Sequence, residues 1–417
     1  MITPEKALKI ILDNISVLEP KDIHISYSLG LIVAEDIYSQ EDIPQFDNSA
    51  MDGFAIRSKD TIGASPKNPT NLILRGEALL AGTTPKIKLK KQTAIEIMTG
   101  APVPSGADTV IPIEFCKKLE DRVFIYTKYP ANMNIRKAGE DIRREDKVLE
   151  KNALVYPADI GVLASLGIDK IKVFPKPIAA ILCTGDELVD IKSPLLPGKI
   201  RNSNLYSLSA QVKESGAIPL EYPIIKDEPE EMKEKITDAL KKADLIITSG
   251  GVSMGEHDLV KDIVSEIGAE LKFWKIAQRP GLPMAFWVFD EKPIFGLPGN
   301  PVSVMVCFEN YIRPFIFKMM NKKFQPRPTI KAKMAHPVKS RKGRVHFLRV
   351  IAYKERDEIW VKTTGDQGSG ILRSMAKANG LLTIPSEKSF IERGEEVEVK
   401  ILKQILTTPV PISIENF

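Results

Sequence analysis

Apolar positions recur at helical spacing from the start of the chain. Ala7, Leu8, Ile11, Leu12 and Ile15 share one face behind Thr3-Pro4-Glu5, an N-cap followed by proline at the first helical position. A second amphipathic stretch at 28–33 extends this texture, so residues 1–42 are expected to be helical. From 43 to about 150 the texture changes: β-rich runs at 71–74, 93–98 and 122–126 sit between Gly, Pro and Asn turns, the pattern of a small β-dominated domain. Helical spacing returns over 151–175. There Pro157-Ala158-Asp159 precedes Ile160, Leu163, Ala164 and Leu166, and Gly167 supplies a stop signal.

After Pro175-Lys176-Pro177, strands and helices alternate. Strands are expected at 178–183, 218–225, 245–248, near 271–276 and 284–288, and at 294–297. Helices fall at 205–216, at 230–241 with Met232, Ile236, Ala239 and Leu240 on one face, at 259–268, and from Pro301 onward. This pattern predicts a doubly wound α/β domain. Beyond Gln325-Pro326-Arg327-Pro328 the chain reads as β again. The fold class is therefore a multidomain α/β chain. A discontinuous helical domain (1–42 with 143–175) and a β-rich domain (43–142) precede the α/β domain (176–325) and a C-terminal β domain (326–417).

A length of 417 residues suits about three domains, and 43% hydrophobic content argues against disorder. Lys+Arg 59 against Asp+Glu 54 leaves a charge of +5 spread along the chain. That excludes a dedicated nucleic-acid binder with clustered basic stripes, while permitting local sites for small anions. Cys116, Cys183 and Cys307 are scattered, as are the four histidines, so neither a disulfide framework nor structural zinc is expected. The N-terminus has no signal-peptide character, and no apolar run approaches the ~18 residues of a membrane span. A soluble cytoplasmic protein is expected.

The most specific local string runs from Ser249 through Gly250, Gly251, Val252, Ser253, Met254, Gly255, Glu256 and His257 to Asp258. A strand entering a glycine-rich turn that opens a helix aims backbone N–H groups and a positive dipole end at one spot, which suits a phosphate or oxyanion. The plainer alternative is a tight turn with Asp258 as N-cap, and His257 as a first-turn surface residue. A second such turn, Leu297-Pro298-Gly299-Asn300-Pro301-Val302-Ser303, has its own structural reading, with Asn300 capping and Pro301 at the first helical position. Thr184-Gly185-Asp186-Glu187 follows the first strand of the same domain. Ligands in such sheets bind at the strand C-terminal ends, so three loops on one rim form a candidate site. Asp186, Glu187, Asp227 and Asp258 recur there, and hard oxygen ligands favour Mg²⁺ shared with substrate phosphates. For Asp227, at the start of an acidic first turn, the helix dipole is explanation enough. Elsewhere, Asp47 and Asp52 lie in an unusual polar run from Phe46 to Phe54, Thr99 and Asp141 lie in turns, and Arg349 and Ser374 could bind an anion or be surface residues.

Together these strings resemble the molybdopterin molybdenumtransferase family, the MoeA and gephyrin E-domain type. The matching pieces are FDNSAMDGFA at 46–55, IMTGAPVPSGAD at 97–108, AGEDI at 138–142, CTGDEL at 183–188, SGGVSMGEHD at 249–258 and GLPGNPVSV at 296–304, in the family's order. The resemblance implies an elongated, homodimeric subunit whose helical segment dimerises and whose α/β domain is similar to the molybdopterin adenylyltransferase fold. It implies adenylylated molybdopterin and molybdate, or tungstate, as substrates, with Mg²⁺ as cofactor, AMP as leaving product and transient contact with molybdopterin adenylyltransferase. Ser253 and Asp258 would lie at the AMP phosphate and Mg²⁺, with Glu187 and Asp227 completing the metal set. Asp52, Gly185, Ser249, Gly250, Gly251, Pro298, Gly299, Asn300 and Ser303 would line the substrate cleft, and Asp47, Thr99 and Asp141 would complete it from the dimer partner. Arg279, Pro283, Arg349 and Ser374 would hold molybdate.

One departure stands out. The family commonly has Lys-Pro-Gly-Lys-Pro where this chain has Arg279-Pro280-Gly281-Leu282-Pro283. Arginine keeps a charge with a planar fork, but Leu282 removes a cation, worth ~1.5–3 kcal/mol if it touched the oxyanion. A weaker or tungstate-tuned site is the expectation, with Lys275 placed to compensate. Two other readings stand beside this one: pterin adenylyl transfer, which would consume ATP, and a gephyrin-like scaffold that binds peptides without turnover.

Overall fold

Thr3 opens the first helix, Pro4–Asp13, its Oγ1 accepting a hydrogen bond from Lys6 N at 3.3 Å. The helix ends at Asp13, and strands Lys21–His24, Ile32–Val33 and Ile37–Tyr38 follow where helix was expected through residue 42. The amphipathic stretch at 28–33 thus ends in a strand. Its buried residues Leu31 and Val33 stand two apart, which is the strand period. The helix expected over 151–175 is likewise confined to Pro157–Ser165, and Lys170–Phe174 is a strand with Ile171 and Val173 buried.

The computed structural model describes residues 1–252, 258–323 and 325–406. Its contacts divide the chain into two units, residues 22–173 and residues 1–21 with the chain from Phe174 onward. The opening helix thus belongs with the α/β domain rather than with 143–175, because Ala7 and Ile11 are fully buried in the α/β core.

In the unit 22–173, strand Lys170–Phe174 lies between Lys21–His24 and Ile32–Val33, and Leu163 of the Pro157–Ser165 helix packs into the same cluster as Val33 and Val173. A separate six-stranded sheet has the order Thr109–Pro112, Gly53–Ile56, Thr93–Ile97, Thr70–Leu74, Arg122–Ile125, Cys116–Leu119. Phe54, Ile56, Leu72, Ile111 and Val123 form its core.

In the other unit a six-stranded sheet runs Ile218–Glu221, Ile178–Cys183, Leu245–Ser249, Lys292–Leu297, Ala285–Phe289, Glu270–Trp274. The first four are parallel, and Ala285–Phe289 is antiparallel to both neighbours, so the sheet is mixed. Ile178–Cys183 is apolar throughout, as a strand covered on both faces must be. Helices Ser203–Glu214 and Pro301–Cys307 contribute to the core on one face, and Pro229–Lys242 and Leu259–Glu266 to the core on the other. From Ile178–Cys183 the chain passes to one side, then returns to Leu245–Ser249 on the other, creating a topological switch point. Register places Cys183 beside Ser249 and Ser249 beside Leu297, so three loops leave the sheet level with one another.

The helix from Pro301 continues to Met319 through a π-helical turn at Phe308–Ile312. Arg327 ties the following linker down, its Nε donating to Glu309 Oε1 and its Nη2 to Glu214 Oε2, both at 2.9 Å. The C-terminal sheet has the order Gln278–Arg279, Val345–Glu355, Glu358–Thr363, Thr329–Met334, Glu396–Ile401, Gly380–Ile384, and the last strand also pairs with Val345–Glu355. Five strands therefore close on themselves, and Gln278–Arg279, from the α/β part of the chain, joins them beside Val345–His346.

Candidate active site

The three loops at the switch point meet in a cavity of about 520 Å³, lined among others by Thr184, Glu187, Asn202, Asn204, Ser249, Gly299 and Asn300. Two helices begin there, Ser203–Glu214 and the one opening at Pro301, so two positive dipole ends lie at one space. Asn204 braces the floor, its Nδ2 donating to Ser249 Oγ at 2.8 Å and Gly299 O at 2.7 Å. The Oδ1 of Asn204 and the Oγ1 of Thr184 are buried without a partner, acceptors that a polar ligand could satisfy. Gly250 has φ +94°, and a Cβ there would lie 2.3 Å from Thr184 O, so the backbone approach at this turn requires glycine.

Of the expected carboxylates, Glu187 lines this cavity. Asp227 N donates to Asp186 Oδ1 at 3.3 Å, and partial desolvation raises the Asp227 carboxyl pKa, with the negative charges of Asp186 and Glu187 adding to the rise. Asp258 stands at the N-cap position of Leu259–Glu266 and is buried. Among the described residues no three His, Cys, Asp or Glu side chains form a metal-holding group, so Glu187, Asp227 and Asp258 do not make the three-ligand set expected. The Glu187 carboxylate turns back over Gly185, within 2.5 Å of where a Cβ would stand, and Asp258 is withdrawn into the protein. Ser253 and His257 lie outside the described residues.

A second cavity, of about 360 Å³, adjoins the first across Asn300 and is lined by Arg279, Leu282, Pro283, Pro298, Ser303 and Gln367, among others. Leu282, where the family places a cation, is buried and apolar. Lys275 is absent from the lining: its ammonium sits 3.6 Å above the Trp274 ring, so it does not take up the role of compensating for Leu282. A third cavity, about 500 Å³, carries Arg279 on to Arg349, Arg341 and His346. Arg349 and Ser374 are core residues, 1% and 2% exposed, rather than surface ones. Arg349 Nε donates to Ser374 Oγ at 3.1 Å and its Nη2 to Gly368 O at 3.0 Å. Burial lowers its pKa to about 10; Asp366 opposes the shift and Arg279 reinforces it. An arginine desolvated beside another arginine is a strong site for a compact anion. Arg341, Lys342 and Arg344 extend the positive charge outward from Arg279 around buried His346.

Asp47, Asp52, Thr99 and Asp141 all lie in the unit 22–173. Asp47 accepts from Lys137 Nζ at 2.8 Å and Ala138 N at 2.9 Å, which depresses its carboxyl pKa. Asp52 accepts from Thr99 N and Oγ1, both at 2.7 Å, with the same effect. Val103 N donates to Asp47 O and Asp141 N to Ile43 O, so three separate loops converge; the Asp141 side chain is exposed. The run Arg201-Asn202-Ser203-Asn204 and the basic run Arg341-Lys342-Gly343-Arg344 were not singled out in the sequence. Their available signals were an N-cap, since Asn202 Oδ1 accepts from Leu205 N, and a charge cluster.

No helix among the described residues is long and apolar enough to cross a membrane. Residues 2–167 match the family described as "MoeA N-terminal region (domain I and II)", residues 180–318 the "Probable molybdopterin binding domain", and residues 331–402 the "MoeA C-terminal region (domain IV)". A relative from Haemophilus influenzae named molybdopterin molybdenumtransferase is 34% identical, covering 92% of this chain and 94% of its own. One from Mycobacterium tuberculosis, molybdopterin molybdenumtransferase 2, is 35% identical over 94% of this chain and 97% of its own. The crystal structure of a molybdopterin biosynthesis MoeA protein from Pyrococcus horikoshii superposes with a TM-score of 0.80 at 32% identity, covering 97% of this chain and all of that one. Identity sustained along nearly the whole chain, over the same succession of domains, makes this chain a member of the molybdopterin molybdenumtransferase (MoeA) family.

Proposed function

We propose that the protein is a molybdopterin molybdenumtransferase. It takes molybdopterin in its adenylylated form, inserts molybdenum from molybdate, or tungsten from tungstate, and releases AMP as the phosphoanhydride is hydrolysed. The observation that carries this reading is the adjacency of two different anion sites. The cavity with two helix N-termini and the arginine-lined cavity share Asn300, so a nucleotide phosphate and a separate oxyanion can be held side by side. Asn204, Ser249 and Gly250 would hold the phosphate end, and Arg279 with Arg349 the oxyanion. The pterin supplies its own sulfurs for the metal, consistent with Cys183 and Cys307 being buried with pKa values raised to about 12.

Mg²⁺ fits the rim chemically. It needs only one or two protein carboxylates when substrate phosphates complete its shell, and Asp227, crowded by Asp186 and Glu187, would gain from a nearby cation. Bound there, Mg²⁺ would neutralise phosphoanhydride charge. The proposal also includes a cytoplasmic homodimer in which Asp47, Asp52, Thr99 and Asp141 complete the partner's cleft, and transient contact with molybdopterin adenylyltransferase.

The test is AMP release from adenylylated molybdopterin with Mg²⁺, with and without molybdate or tungstate. Oxyanion-dependent release is expected, reduced at least tenfold by Arg349→Ala, in line with the loss of a charge-assisted contact of ~1.5–3 kcal/mol. Consumption of ATP with unadenylylated pterin, or nucleotide binding without turnover, would overturn the reading.

A further inference from the structure

The π-helical turn Phe308–Ile312 widens the long helix by one residue, Arg313 N reaching back to Phe308 O. Three successive side chains on it hold three different segments. The Glu309 carboxylate accepts from Arg327 Nε of the linker at 2.9 Å. Asn310 Oδ1 accepts from Lys400 Nζ of the C-terminal barrel at 2.7 Å. The Tyr311 hydroxyl donates to Gln278 Oε1.

Gln278 is completely buried, and its other end faces the turn that follows Arg279. Its Nε2 donates to Pro280 O at 3.0 Å and more weakly to Gly281 O at 3.5 Å. Gly281, at φ +91°, lies flat against this support: a Cβ there would stand 2.4 Å from Cys307 Sγ and 2.7 Å from Gln278 Nε2. Gln278–Arg279 also pairs with Val345–His346, the start of the strand that carries Arg349. Arg279 is therefore fixed sideways by the barrel ladder and in depth by the helix beneath it. A leucine and a phenylalanine would fill the space of Gln278 and Tyr311 without the cost of burying polar groups.

We infer that Tyr311 and Gln278 are positioning residues for the oxyanion, holding the Arg279 turn at the depth from which its guanidinium and that of Arg349 can grip one anion. The inference rests on the reading of those arginines as oxyanion ligands. The π turn joins this support to the linker and the barrel, so the docking of the C-terminal domain and the shape of the oxyanion site are set by one piece of helix.

The test is a calorimetric titration of molybdate and of tungstate into the full chain, for wild type, Tyr311→Phe, Arg279→Ala and the double variant. Tyr311→Phe keeps the ring and removes one buried hydrogen bond, so a loss of about five- to tenfold in affinity is expected. On the Arg279→Ala background the same change is expected to cost less than about twofold, because its effect passes through Arg279. Gln278→Met, which removes the amide at similar volume, should reproduce the loss of Tyr311→Phe. Equal losses on both backgrounds, or unchanged affinity with only a lower Tm, would reduce Tyr311 to a packing residue and overturn the inference. Absence of oxyanion binding in the wild type would remove it together with the functional reading.

Discussion

Buried charge governs the oxyanion end of the site, and His346 reports on it. Burial lowers its pKa below 6.5, and Arg279, Arg344 and Arg341 push the same way; its Nδ1 lies 3.0 Å from Ser340 Oγ. As pH falls through 6.5 the unfolded chain takes up this proton before the folded one does. The stability contributed by neutral His346 is therefore full above about pH 6.5 and declines below it, until the folded imidazole also protonates. His346→Gln is expected to flatten that part of the curve, as measured by urea denaturation between pH 5 and 8 at about half-unit steps. Arg349 and Ser374 could be picked from the sequence as anion ligands, but their burial could not. It depends on Gly368 and Gln367, brought in by a loop from beyond the next strand, and no local pattern encodes that.

Elements held by ion pairs make a second kind of prediction. Glu309 is 6% exposed and shares its charge between Arg327 and, at 4.0 Å, Arg313. Arg327→Ala would leave a buried carboxylate short of its closer partner. A loss of about 3 kcal/mol in unfolding free energy is expected, and pairing the change with Glu309→Gln should recover much of it. The Pro-flanked linker is thus fastened in the structure, because Arg327 finds partners far away in the chain. The alternation after Pro177 was legible for the opposite reason. Continuous apolar strands such as Ile178–Cys183 and helices begun by Pro229 or Pro301 carry their signals locally. Strands Lys21–His24 and Ile32–Val33 were missed because each is short and pairs with Lys170–Phe174, on the far side of a whole β domain. The π turn has no sequence signature, since its hydrogen bonds differ from those of an α-helix by a single residue of register.

At the scale of the molecule, the unit 22–173 contains its own clusters around Val33 and Leu163, around Phe54 and Leu72, and around Ile95 and Ile97. Expressed alone it is expected to unfold cooperatively, with dispersed amide resonances; a spectrum of collapsed, undispersed signals would contradict that. Deleting residues 1–20 from the full chain should instead weaken the other unit, since Ala7 and Ile11 lie in the cluster of Phe295, Tyr311 and Phe315.

That arrangement bears on how the chain is made. The Pro4–Asp13 helix leaves the ribosome well before its partner, for the helix it packs against ends at Met319, about 300 residues later. At ~5–20 residues per second this is a wait of roughly 15–60 s. During that time the 22–173 segment emerges complete and can fold, while the apolar face of the opening helix has nothing to cover it. A chain stalled before Met319 would carry a finished domain beside a helix with an uncovered apolar face, a natural target for chaperones and proteases.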